Sequence, residues 1–280
     1  MKELYSVIGY PIGHSLSPHM QNAVLDHHSI DGYYHAFEIA PEKVEEGIKG
    51  LKALNIKGFN VTIPYKVKVM DFLDEIDELA REIGAVNTVV NENGRYVGYN
   101  TDGDGYLQSL LTFLERPSLQ DQSVLILGAG GAARALLFTI AAKGQANCID
   151  IANRTLSKAQ ELITSCPIDN EGTVLSITEA EENLGRYDII INTTAVGMSP
   201  NVEESPLSLQ HVKKGATVSD IIYNPLETKL LREAKERGAL AHTGIGMFVM
   251  QGALAFEKWT GVQPDVKVME DVVLRRLQKK

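Results

Sequence analysis

A chain of 280 residues with 44% hydrophobic and 22% charged content has room for two modest domains of ordinary globular make-up. Its net charge of -9, with no run of basic residues, argues against nucleic acid or an anionic membrane as partner. Cys148 and Cys166 make neither a disulfide framework nor a metal-ligand spacing, and no apolar stretch suits a signal peptide or a membrane span, so a reducing, cytoplasmic setting is expected.

Residues 4–9 read as a short strand, after which Ser17 is placed to cap a helix with Pro18 in its first turn. Residues 33–39 form a second strand, and 41–54 a helix that opens on acidic residues, as its dipole prefers. A third strand over 58–63 is stopped by Pro64. Helical patterns cover 66–72 and 76–83, and 86–91 with 95–100 form a hairpin around Asn93-Gly94. A helix over 104–114 leads through a polar connection, 115–122, into the second half. There, strands at 124–127, 148–152, 173–177, 187–192, 217–222 and 240–242 alternate with helical segments, the pattern of a doubly wound parallel sheet. Two helices, 248–259 and 266–277, end the chain without a further strand. A chain that returned to its first domain would bury them there and set a cleft between the two domains.

The apolar run 124–127 breaks at Gly128-Ala129-Gly130-Gly131 and resumes as a helix at Ala132. The spacing Gly128, Gly130, Ala133 fits G-x-G-x-x-G/A, the turn that carries a dinucleotide pyrophosphate on a helix start. The next strand ends at Asn153-Arg154-Thr155, with Lys158 one turn on. A cofactor without a 2′-phosphate usually meets an acid there, whereas a guanidinium and hydroxyls suit a phosphate. Asp150 lies inside the strand rather than at its end. NADP is therefore favoured over NAD, although Thr155 also suits a helix cap.

Ligands gather at the carboxyl ends of parallel strands. Lys66 follows such an end and would open a helix, where a cation opposes the dipole, so a lysine that reaches into a cleft stands level with a solvated helix-start lysine. The hairpin runs out into Asn100-Thr101-Asp102-Gly103-Asp104-Gly105. Asp-Gly alone is a turn, and Asp-x-Asp lacks the other ligands of a calcium loop. Lys66 and Asp102 at neighbouring strand ends make a proton-transfer pair. The hydroxyls of Ser15 and Ser17, after the first strand, suit a polar ligand. His14 and His19 have no third ligand in reach by spacing, so no metal is expected.

These stretches occur in the order Gly9-Tyr10-Pro11-Ile12-Gly13-His14-Ser15-Leu16-Ser17-Pro18, Asn60-Val61-Thr62-Ile63-Pro64-Tyr65-Lys66, Gly84-Ala85-Val86-Asn87-Thr88 and Asn100-Thr101-Asp102-Gly103. They continue with Gly128-Ala129-Gly130-Gly131-Ala132, Asn153-Arg154-Thr155, Asp220 to Pro225 with Thr228, and Gly244-Ile245-Gly246-Met247 with Gln251. In this order they resemble the shikimate dehydrogenase family over nearly the whole chain. Its members are NADP-dependent enzymes that interconvert 3-dehydroshikimate and shikimate on the route to chorismate and the aromatic amino acids.

The resemblance implies an α/β fold: a substrate domain of residues 1–103 and 243–280, a doubly wound Rossmann NADP-binding domain of residues 104–242, and a cleft between. It implies Lys66 and Asp102 as the catalytic pair, with Ser15, Ser17, Thr62, Asn87, Tyr223 and Gln251 holding the substrate. Gly128, Ala129, Gly130, Gly131 and Ala132, then Asn153, Arg154, Thr155, Leu156, Ser157 and Lys158, would hold NADP. Ile221 and Gly244 would lie near the nicotinamide, and Glu78 matches a position that approaches the cofactor. Two residues depart from the family pattern: Gln21 stands where many members have histidine, and Asp104, where an apolar residue is usual, adds a negative charge near Asp102. Other readings are a quinate/shikimate dehydrogenase with relaxed cofactor use and a non-catalytic NADP-sensing protein; intact Lys66 and Asp102 speak against the latter. Monomer and homodimer both remain open.

Overall fold

The computed structural model describes residues 2–278. The chain divides into two compact units, one holding the chain up to Thr101 and again from Val249, the other running Asp102–Phe248.

The first unit is built on β1 (Glu3–Gly9), β2 (Gly32–Glu38), β3 (Gly58–Val61), β4 (Glu75–Ile76), β5 (Thr88–Glu92) and β6 (Arg95–Tyr99), in the order β2-β1-β3-β5-β6-β4. β1, β2 and β3 run parallel, and β5 is antiparallel to both β3 and β6. Helices α1 (Ser17–His27), α2 (Val44–Ala53) and α3 (Glu78–Ile83) connect them. Asn93 and Gly94 both take positive φ, 55° and 89°, the backbone of a tight hairpin turn between β5 and β6. Ile8, Phe59, Val61, Val89 and Tyr96 form one core with Ile48 and Leu51 of α2. Burying a side chain such as Phe59 contributes about 1.5–3 kcal/mol. The free edge of β2 is capped at Tyr34, where the Asn22 amide accepts the backbone N–H at 2.9 Å and donates to the carbonyl at 2.8 Å. Two later helices return to this unit: the part of α9 (Gly244–Thr260) from Val249 onward, and α10 (Val266–Leu277), which packs on α1. The Trp259 indole occupies the space a Cβ on Gly58 would need, and its Nε1 donates to the Val89 carbonyl at 2.9 Å.

The second unit carries a wholly parallel sheet of β7 (Ser123–Leu127), β8 (Cys148–Ala152), β9 (Val174–Leu175), β10 (Ile189–Asn192), β11 (Thr217–Asp220) and β12 (Leu240–His242). Its order, β12-β11-β10-β7-β8-β9, reverses between β7 and β10, and there the carboxyl ends open a crevice. The apolar runs of β7 and β10 are buried, as a sheet covered on both faces demands. Helices α4 (Asp102–Leu114), α5 (Gly131–Thr139), α6 (Leu156–Thr164), α7 (Ile177–Glu182) and α8 (Lys229–Glu236) complete the unit. α5 continues as a π-helical turn over Ile140–Gly144, which the sequence pattern does not announce.

Several boundaries differ from the sequence reading, each for a local reason. Leu16, not Ser17, takes the cap position of α1; Ser17 is already helical, and its N–H is accepted by Ser15 Oγ at 3.3 Å. The helix expected from residue 41 opens as a 3₁₀ turn, Pro41–Lys43. Residues 66–72 are not one helix. Val86 N–H bonds the Lys66 carbonyl at 2.7 Å, holding Lys66 in a turn, and only Lys68–Phe72 winds as 3₁₀. The dipole conflict expected at Lys66 therefore does not arise. Residue 76 is strand rather than helix: Asp74 accepts the Tyr96 N–H at 2.6 Å, β4 pairs with β6, and Asp77 then caps α3. The strand expected over 173–177 is cut short because Ser176 and Glu179 form a capping box for α7. α4 starts at Asp102, so this carboxylate lies in a helix first turn rather than at a strand end, where the dipole favours it.

Candidate active site

In the first unit the polar groups collect at one edge of the sheet. β1, β2 and β3 end there at Gly9, Glu38 and Val61, and the antiparallel hairpin brings the start of β5 and the end of β6 to the same edge. Asn87 is the hub, 2% exposed. Its Oδ1 accepts the Thr101 N–H at 2.7 Å, its Nδ2 donates to Thr101 Oγ1 at 3.0 Å, and its carbonyl accepts the Val61 N–H at 2.8 Å. Asn60 Nδ2 also donates to that carbonyl, at 3.2 Å, while Asn60 Oδ1 accepts the Tyr34 hydroxyl at 2.8 Å. Burial pushes the Tyr34 phenol well above its ordinary pKa, and a hydrogen bond with Ser17 partly offsets the shift. Thr101 Oγ1 donates to the Gln251 carbonyl at 3.1 Å, which ties α9 to the cluster. Thr62, the residue after β3, bonds the Ile8 carbonyl through its N–H at 3.0 Å; its methyl lies 2.6 Å from where a Gly9 Cβ would be, so Gly9 must be small.

Thus Thr62, Lys66, Asn87 and Gln251 are joined within a few hydrogen bonds, and Ser17 enters through Tyr34 and Asn60. Lys66 is half-buried, as is Ser15, whose loop is pinned by Ile12 N–H donating to Glu38 Oε2 at 3.1 Å. Glu78 is exposed as the first helical residue of α3. Asp102 follows Thr101 directly and opens α4 in the second unit. Asp104 is not a bare charge beside it, because Lys143 pairs with its carboxylate at 2.6 and 2.9 Å. Thr101 and Asn60 were part of the motifs but carried no expected role; their buried side chains hold the residues that did.

In the second unit a cavity of about 450 Å³ opens at the carboxyl ends of β7 and β8. Gly128 lines it with φ of 111°, and a Cβ there would lie 2.7 Å from Thr193 Oγ1. The following Gly130 and Gly131 are different: a Cβ on either would meet nothing within 4 Å. Gly130 takes the cap position of α5 with no side-chain cap, so no side chain there competes for the first N–H groups of α5, which the helix itself leaves unpaired. Ala133, the small third residue of the motif, is fully buried. This arrangement fits a pyrophosphate: bare backbone donors, a favourable dipole and space.

Asn153, Arg154, Thr194, Val196 and Glu204 also line the cavity, and Arg154 and Glu204 are its charged residues. Arg154, Thr155, Leu156, Ser157 and Lys158 are exposed, while Asn153 Nδ2 donates to the Thr155 carbonyl at 2.9 Å. Thr155 takes the cap position of α6, but its hydroxyl makes no capping bond. Asp150 is committed elsewhere, accepting from Tyr187 Oη at 2.6 Å and from Thr173 N at 2.6 Å and Oγ1 at 3.1 Å. The β8 end therefore offers donors and no free acid, which fits a 2′-phosphate.

Further along the crevice, Ile221 N–H bonds the Asn192 carbonyl at 3.1 Å. Gly244 lies so close that a Cβ would strike the Ile221 carbonyl. Asp220 accepts from Asn192, Ile222 N–H and Thr228; burial nevertheless pushes its carboxyl pKa up. The Tyr223 ring lies 4.7 Å from that of Phe248. Among the described residues no group of three or more His, Cys, Asp or Glu is arranged to hold a metal ion, and no helix is long and apolar enough to cross a membrane.

Fold and strand-end groups define the class: a two-unit α/β protein whose second unit is a Rossmann dinucleotide-binding unit. Three family models match the chain: the shikimate dehydrogenase substrate binding domain over residues 7–89, shikimate / quinate 5-dehydrogenase over 112–221, and the shikimate 5'-dehydrogenase C-terminal domain over 244–274. A shikimate dehydrogenase (NADP(+)) of Bacillus cereus is 55% identical over 277 residues, covering 99% of each chain. The chain belongs to the shikimate dehydrogenase family. Solved structures agree. A shikimate dehydrogenase in complex with NADP+ superimposes with a TM-score of 0.91 at 41% identity, covering 99% of this chain and 96% of that one. The Thermus thermophilus enzyme in complex with NADP(H) and shikimate gives 0.87 at 34%, covering 98% and 99%.

Proposed function

We propose that Lys66 and Asp102 move the proton in a reversible, NADPH-linked reduction of 3-dehydroshikimate to shikimate. The chain is an NADP-dependent oxidoreductase acting on shikimate, a step on the route to chorismate and the aromatic amino acids. We assign substrate binding to the first unit and NADP binding to the second. Cys148 and Cys166 are not joined in a disulfide, which suits a reducing cytoplasm.

When bound, NADPH supplies the hydride to the ketone carbon. The ketone oxygen then takes one proton to become the alcohol, and Lys66 and Asp102 hold and deliver it; in the reverse direction they receive it. Ser15 and Ser17 donate their hydroxyls to the substrate carboxylate. Thr62, Asn87, Gln251 and Tyr223 orient its hydroxyls. The backbone from Gly128 to Ala132 would hold the pyrophosphate, and Asn153, Arg154 and Thr155, followed by Leu156, Ser157 and Lys158, would hold the 2′-phosphate. Ile221 and Gly244 would lie near the nicotinamide, and Glu78 would contribute to holding the cofactor.

The observation that carries the reading is the single sheet edge on which Thr62, Lys66, Asn87 and Thr101 meet. Absorbance of NADPH at about 340 nm, formed from shikimate and NADP, tests it. Lys66→Ala should lower kcat by roughly two to four orders of magnitude, the usual contribution of a positioned acid or base, with KM changing less. Near-normal turnover would remove Lys66 from the chemistry, and faster turnover of quinate than of shikimate would reassign the substrate.

A further inference from the structure

Gln21 lies on α1 one turn beyond Ser17 and is 1% exposed. Its Nε2 donates to the Gly252 carbonyl on α9 at 2.9 Å, while its Oε1, equally buried, meets no donor. The helices touch at this crossing: a Cβ on Gly252 would strike Met20 Cε and come within 3.2 Å of Gln21 Nε2. The Gly252 carbonyl sits inside α9, where the helix supplies its own donor, so removing Gln21's bond would strand no group. For stability alone Gln21 is therefore a poor choice. A buried amide oxygen without a donor is costly, and an apolar side chain of similar size would remove the defect.

What the Gln21 bond does supply is a fixed register between two helices. α1 begins at Ser17, and α9 carries Gln251, the neighbour of Gly252. One residue earlier α9 is tied by Thr101 Oγ1 to the Gln251 carbonyl, and through Thr101 to Asn87. We infer that Gln21 is a positioning residue that sets the spacing between Ser17 and Gln251, and thereby the grip on the substrate. This rests on the assignment of those two residues to substrate binding.

The test is Gln21→Met, which keeps the volume and loses the donor, beside Gln21→His, which keeps a ring N–H, and Gln251→Ala as a control on the site itself. KM for shikimate, KM for NADP, kcat and the thermal midpoint are measured for each. For Gln21→Met, KM for shikimate should rise about three- to tenfold, the effect of one hydrogen bond. KM for NADP should hold, kcat should stay within about twofold, and Tm should stay level or rise, since a buried unpaired oxygen has gone. Gln21→His should recover most of the lost affinity. A Gln21→Met protein with wild-type KM for shikimate overturns the inference, as does one that fails to fold or loses Tm, because the side chain would then be structural. If Gln251→Ala leaves KM for shikimate unchanged, the substrate assignment beneath the inference fails instead.

Discussion

The glycines of the β7–α5 turn have two different jobs, and alanine substitution separates them. Gly128 is required by the protein itself. Its φ of 111° is a left-handed backbone that costs an L-residue about 1–2 kcal/mol. A new Cβ would also lie 2.7 Å from Thr193 Oγ1 and 3.1 Å from Thr194 Cγ2. Thr193 cannot swing away freely, because its hydroxyl donates to the Leu127 carbonyl at 2.6 Å. Gly128→Ala should therefore destabilise the fold by about 2–4 kcal/mol, strain and overpacking together. Gly131 has ordinary negative φ, opens α5 and faces empty space, so Gly131→Ala should leave stability unchanged or raise it by up to about 1 kcal/mol. The same methyl fills the room assigned to the pyrophosphate and should weaken NADP binding at least tenfold, about 1.4 kcal/mol or more. Urea unfolding of the free protein and calorimetric titration with NADP read the two effects independently. Gly131→Ala binding NADP as tightly as wild type would remove the pyrophosphate from this turn. Gly128→Ala with unchanged stability would refute the steric reasoning.

Two other outcomes are expected. Burial lowers the His242 pKa from 6.5 to about 4, its ring held between Ser109 and Ser219. The unfolded chain therefore binds the proton first, and about 3 kcal/mol of stability present above pH ~6.5 is lost as pH falls toward 4; urea midpoints against pH should flatten in His242→Gln, and equal slopes in both proteins would contradict this. Arg154→Ala should raise KM for NADP by about tenfold, the lower end for an exposed guanidinium, and leave NAD kinetics nearly unchanged; a variant that keeps its NADP preference would show that Arg154 does not read the 2′-phosphate.

Local chemistry announced much of the fold. Asn93-Gly94 is a turn by its backbone preferences alone, and the hairpin forms around it. The apolar runs of β7 and β10 could only be covered strands. What sequence did not show depends on partners far along the chain. β4 exists because Asp74 takes the N–H of Tyr96, and Lys66 stays out of a helix because Val86 bonds its carbonyl. Gly58 reads as a weak strand residue until Trp259 is seen lying where its Cβ would be. The order of the six parallel strands is likewise a property of packing, not of any one segment.

At the site, residue types were legible but their commitments were not. Asp150 and Arg154 lie near each other in sequence, and an acid suits a ribose hydroxyl as an arginine suits its 2′-phosphate. Position in the strand favoured Arg154, and the structure supplies the further reason that Tyr187 and Thr173 already occupy both carboxylate oxygens of Asp150. Asp104 looked like a second charge beside Asp102 until Lys143, on the turn after α5, proved to neutralise it. Asn87 shows the converse. Its amide is spent on Thr101, its carbonyl on Val61 and Asn60, and it is nearly inaccessible. A residue so placed orients neighbours at least as much as it meets a ligand, since a buried amide must first satisfy its own donors and acceptors. Thr62, Lys66 and Gln251 are half-buried on its rim, and the buried amides of Asn87 and Asn60 behind them fix where those residues stand. Sequence motifs mix the two kinds without distinction, because both are polar residues at strand ends. Only the hydrogen-bond ledger of the folded chain tells a residue that binds from one that holds the binder in place.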